Sequence, residues 1–146
     1  MTKILSEKLD MFLLDLKELI AFELADRENI IEKCGLDYFL NLEKKTIQSA
    51  ASFENTIIVS NYDLFTYRQN YVFFKPVSIS FYLRFSKNNL KEENEVDSLN
   101  IMAFEARDKS LKENCNFTIN LTNTNEEKAA LKIIAKLKEV VNGSKF

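Results

Sequence analysis

Histidine and tryptophan are absent from this chain of 146 residues, and glycine occurs only at Gly35 and Gly143. Without histidine, the commonest general base and metal ligand near neutral pH is missing. Two isolated glycines cannot form a glycine-rich loop of the kind that wraps a phosphate group. Cysteine is scarce too: Cys34 and Cys115 lie far apart, with no partners at metal-ligand spacing. They read as two reduced, buried thiols, which fits a cytoplasmic protein. No long apolar run opens the chain, because Lys3, Glu7, Lys8, Asp10, Asp15, Lys17 and Glu18 punctuate its first twenty residues. A signal peptide or membrane span is therefore not expected there.

What is present describes an ordinary globular protein. Apolar residues make up 46% and charged residues 29%, with a net charge of -2. A chain of 17.0 kDa can bury a core without staples, and residues 1–146 read as one domain. Nothing is basic enough to suggest a nucleic-acid footprint, so neither nucleic acid nor membrane is expected as a partner.

The pattern predicts alternating helices and strands. Thr2 to Leu9 is helical, and the apolar run Met11-Phe12-Leu13-Leu14 ending at Asp15 reads as a buried parallel strand with a carboxylate at its C-terminal edge. Leu16 to Ala25 and Glu28 to Lys33 are helical, with Gly35 suited to a left-handed C-cap and Asp37 to capping a helix through about Ala51. Thr56 to Ser60 is a β-branched strand, whereas Asn61 to Phe74 reads either as loop plus short helix or as strand. After Lys75-Pro76, Ser78 to Leu83 is a further strand; Ser86 to Leu90 starts a short helix, and Lys91 to Asp97 is a solvated loop. Val96, Leu99, Met102, Ala103 and Ala106 form a helical stripe that reads as core. Phe117, Ile119 and Leu121 alternate as a strand, and Thr124 with Glu127 forms a capping box for a last helix lined by Ala130, Ile133, Ile134, Leu137, Val140 and Val141.

Four strands with helices between them imply an α/β three-layer sandwich on a mainly parallel sheet. Ligands bind such folds beyond the C-terminal strand ends, here near Asp15, Ser60 to Asp63 and the residues after Leu83.

Several strings, in order, resemble shikimate kinase, a small P-loop phosphotransferase. Phe12 to Ile20 resembles the strand that ends in Asp-x-Asp and runs into Leu-Ile-Glu. Gly35 to Glu43 resembles a Gly-Glu-x-x-Phe-Arg-x-x-Glu helix, and Thr56 to Ser60 falls where the family has the strand before a Gly-Gly-Gly turn. Phe81-Tyr82-Leu83 resembles its Val-Tyr-Leu strand. Phe104 to Arg107 with Leu111 to Ile119 resembles Arg-x-x-x-Tyr-x-x-x-Ala-Asp-x-x-Ile. The resemblance implies a P-loop kinase fold, ATP and magnesium as cofactors, and shikimate phosphorylation in aromatic amino-acid biosynthesis. It also implies remnant roles for Asp15 in organising magnesium and for Glu43 and Arg107 in binding substrate; read locally, Asp15 instead caps the next helix, Glu43 is a solvated helix residue and Arg107 pairs with a neighbouring acid.

The departures bear on that activity. By alignment the chain starts inside the helix that follows the Gly-x-x-x-x-Gly-Lys-Ser/Thr loop, so the phosphate cradle is missing from it. Lys17 replaces the second aspartate of Asp-x-Asp, Leu40 replaces the substrate arginine, and Asn61-Tyr62-Asp63 replaces the glycine turn. The stretch from Leu83 to Arg107 is too short for the lid with its arginine. The leading expectation is thus a catalytically inactive interaction or regulatory module with no catalytic residue and no cofactor; the alternative is a true shikimate kinase represented without its first strand. A third reading is an unrelated α/β binding protein with an anion or aromatic pocket near Tyr62, Tyr67 and Arg68. If the central strand is missing, the Thr56 to Ser60 and Ser78 to Leu83 strands should pair directly, or a protein partner or second copy should fill the slot.

Overall fold

Strand β1 (Phe12–Asp15) and strand β2 (Thr56–Val59) pair in parallel, with Phe12 opposite Thr56 and Asp15 opposite Val59. Between them the chain runs through α2 (Leu16–Glu23), α3 (Arg27–Cys34) and α4 (Leu36–Ala50), the long crossover that a parallel pair requires. These coordinates come from a computed structural model, which describes residues 1–66, 70–84 and 98–143. The chain divides into two compact units, Met11–Ser78 and Met1–Asp10 with Ile79–Phe146.

In the Met11–Ser78 unit, Leu16, Ile20 and Leu24 recur every four residues and bury one face of α2 against Phe39, Ile47 and Ala50 of α4. Leu14 and Ile58, one from each strand, pack on this cluster, so the alternation of the strands turns one face of the ladder toward it. Leu16 and Ile47 are fully buried. Gly35 joins α3 to α4 with φ 89 and ψ 160; its positive φ suits glycine, but the extended ψ makes it a pivot between helices rather than the left-handed cap expected. Consequently α4 begins at Leu36, and Asp37 lies in its first turn instead of capping it. The unit ends with α5 (Tyr62–Thr66) and α6 (Tyr71–Phe74), so the ambiguous aromatic stretch is helical on both sides of residues 67–69.

The other unit contains α1 (Thr2–Leu9), β3 (Phe81–Arg84), α7 (Ser98–Asn114), β4 (Phe117–Asn120) and α8 (Glu126–Gly143). Strands β3 and β4 again pair in parallel, from Phe81 opposite Phe117 to Arg84 opposite Asn120. Their first residues stack, with ring centroids 5.4 Å apart. Ala129, Ala130 and Ile133 bury one face of α8, as the periodicity predicts, while Val141 is exposed. Asp10 ends α1 in the left-handed conformation, a role that aspartate tolerates and that the sequence reading did not anticipate.

The described residues hold four strands in two ladders of two, each ladder parallel within itself. Among the described residues the ladders are β1 with β2 and β3 with β4, so the expected β2–β3 ladder is not one of them, and Tyr71–Phe74 is a helix rather than a strand. Each ladder joins the two strands at the ends of one helical crossover, which keeps every pairing within one βαβ unit.

Four local expectations are corrected. Strand β1 is not fully buried: Phe12 is 73% exposed and Leu13 43%. The stripe on α7 is not core, since Met102 is 64% exposed and Ala103 and Ala106 are exposed too. Instead α7 buries Asp108, with Phe104 and Leu111 half-buried beside it, a face of the same period rotated around the helix. The last helix is capped by Asn125, whose side-chain oxygen accepts the Lys128 amide at 2.8 Å, while Thr124 donates to the Thr122 carbonyl. Cys34 is exposed, because α3 buries no residue. The expected short helix at Ser86 to Leu90 and loop at Lys91 to Asp97 lie outside the described residues, as do Val96, Tyr67 and Arg68.

Candidate functional site

The C-terminal ends of the strands carry the polar groups. In the Met11–Ser78 unit, Asp15 closes β1 in extended conformation, and its Oδ1 accepts the backbone N–H groups of Lys17 at 3.0 Å and Glu18 at 3.2 Å. Asp15 is therefore the N-cap of α2, where its negative charge also opposes the positive end of the helix dipole. Lys17 itself is exposed. Beyond β2, Asn61 does the same for α5: its Oδ1 accepts the Leu64 amide at 2.8 Å and its carbonyl accepts the Phe65 amide at 3.2 Å. Tyr62 and Asp63 form the first turn of that helix. Leu40 packs against the core of the unit. Glu43 is half-buried on α4, three residues before Thr46, whose hydroxyl donates to Glu23 at 3.2 Å and ties α4 to α2.

In the second unit a polar cluster sits where β3 and β4 end. Asp108 on α7 is its centre: Oδ1 accepts from the Tyr82 hydroxyl at 2.8 Å and from Arg84 Nε at 2.7 Å, and Oδ2 pairs with Lys112 Nζ at 3.1 Å. Arg84 also reaches Asn120, its register partner on β4, at 3.5 Å. The side chain of Asp108 is only 12% exposed. Burial alone would raise its pKa, but the hydrogen bonds from Arg84, Tyr82 and Lys112 prevail and hold it at about 2. The Tyr82 phenol moves the other way, pushed up to about 12 by burial first and by the Asp108 carboxylate second. Arg84 is held more firmly protonated by the same carboxylate. With one member anionic down to about pH 2 and the other neutral up to about 12, neither Asp108 nor Tyr82 exchanges a proton near neutrality. The arrangement joins strand to helix by charge.

Arg107 neighbours Asp108 on α7 and is exposed, and its charge acts on Tyr82. At the opposite end of the ladder, the Ser80 hydroxyl accepts the Asn116 amide at 3.0 Å while the Asn116 side chain accepts the Ser80 amide at 2.8 Å. Burial pushes the adjacent Cys115 thiol up, which disfavours the reactive thiolate.

The three residues singled out from sequence are thus distributed: Asp15 and Glu43 belong to one unit and Arg107 to the other. Arg84 falls where the sequence placed a strand end after Leu83, whereas Tyr82, Asp108 and Lys112 were not anticipated, although Asp108 and Lys112 have the i, i+4 spacing of a helical ion pair and Tyr82 and Arg84 alternate on one strand face. Among the described residues, no three histidine, cysteine, aspartate or glutamate side chains gather as metal ligands, and no helix is long and apolar enough to cross a membrane.

Solved shikimate kinases share this architecture. The enzyme from Aquifex aeolicus vf5 superposes with a TM-score of 0.76 at 18% identity, over 97% of this chain and 90% of that one. That from Bacteroides thetaiotaomicron gives 0.67 at 16% identity, over 94% and 89% of the two chains. Shikimate kinase from Acinetobacter baumannii, solved in complex with shikimate, gives 0.62 at 20% identity, over 97% and 84%. The chain has a shikimate-kinase-like, P-loop kinase α/β fold. No family model matches its sequence. No curated protein matches it either.

Proposed function

We propose that this protein is a non-catalytic relative on the shikimate-kinase fold that serves as an interaction or regulatory module. The observation that carries the reading is the turn after β2. Where the resemblance implies a glycine turn that lets substrate approach the backbone, Asn61 caps a helix whose first turn is Tyr62 and Asp63. Two further positions agree with it. Lys17 stands where a carboxylate would accept the substrate proton, and a charged lysine cannot do so. Leu40 stands in the place of the substrate arginine and packs into the core. Phosphoryl transfer depends on positioning and neutralising the phosphates, and residues 1–146 hold no glycine loop for that task.

A partner chain or a second copy that adds a strand to one of the two-stranded ladders fits this role, because strand addition is a common mode of recognition between chains. The test combines titration calorimetry with ATP and with shikimate, a coupled assay for shikimate-dependent ADP formation, and light scattering for mass. The expected result is no heat and no turnover. Turnover at an ordinary kinase rate, of about 1–100 s⁻¹, would overturn the proposal.

The retention of Asp15, Glu43 and Arg107 favours a second reading, a shikimate kinase represented without its phosphate-binding strand, which would use ATP and magnesium. Should the coding sequence upstream encode an in-frame strand and glycine loop, the longer protein decides between them. The first reading predicts that it too is inactive, because Lys17, Leu40 and Asn61 to Asp63 remain.

A further inference from the structure

We draw no further inference here: the strongest candidate, the exposed apolar side chains of Phe12 and Leu13 on β1 and Phe22 on α2 in the Met11–Ser78 unit, carries nothing, because nothing in the structure shows what covers them.

Discussion

Replacing Asp108 with asparagine keeps the shape of the side chain while removing the charge on which Tyr82, Arg84 and Lys112 converge. The size of the loss can be worked from the carboxyl itself. A group held at about 2 rather than its ordinary 3.8 favours the charged form by roughly 2 kcal/mol, at about 1.36 kcal/mol per pH unit. Stranding a charge by removing its buried partner costs about 3–5 kcal/mol, and Arg84, 23% exposed, retains some solvent to soften that. Asp108→Asn should therefore lose about 2–3 kcal/mol at neutral pH, or roughly 5–10 °C in Tm. The pH dependence follows from the depressed pKa. As the pH falls, the unfolded chain takes up the proton near 3.8, before the folded one does near 2, so this stabilisation is complete above about pH 4 and vanishes toward pH 2. Urea unfolding followed by far-UV circular dichroism over this range should show the gap between the two proteins closing as the pH drops. A gap below about 0.5 kcal/mol at neutral pH, or one that stays constant down to pH 2, would refute the assignment of Asp108 as an ionised hub.

The remaining predictions concern separate links in the structure. Tyr82→Phe should lose about 1 kcal/mol at neutral pH through its hydrogen bond to Asp108. Because the folded phenol titrates near 12 and an unfolded one near 10, the parent protein should also lose stability between those values while the variant keeps it, a difference readable from alkaline unfolding curves. Asp15→Ala should cost about 1 kcal/mol by removing the cap of α2, whereas Asp15→Asn should cost little; equal losses in the two urea curves would argue against capping. Ile47→Ala, at a fully buried position, should cost about 2–5 kcal/mol in the same assay. A loss below about 1 kcal/mol would mean that the core of the Met11–Ser78 unit is not packed as described.

Much of the fold was legible because its signals are local. The β-branched run Thr56 to Val59, the alternation of Phe117 and Ile119, and the helical spacing of Leu16, Leu19 and Ile20 each specify an element and one of its faces. The capping error at the last helix has an equally local cause. Thr124, Asn125 and Glu127 offer overlapping start signals, and the asparagine, one residue nearer the helix, makes the bond to Lys128. The candidate site was less legible. Asp15 was recognised as the end of a strand, but whether its carboxylate caps a helix or faces a ligand depends on the path of the backbone after it. Tyr82 and Arg84 reach Asp108 from 26 and 24 positions away, a separation at which no sequence period operates.

By itself, the sequence determined the kinds and order of the elements, the absence of histidine from these 146 residues, and the parallel α/β class, because periodicity, side-chain chemistry and turn residues act over a few positions. Tertiary structure alone decided which strands pair, which face of α7 turns inward and where Arg84 finds its counter-charge. Those outcomes follow from packing between distant segments. An apolar stripe such as Met102, Ala103 and Ala106 can be left in solvent when a neighbouring face offers a carboxylate able to satisfy Tyr82, Arg84 and Lys112 at once.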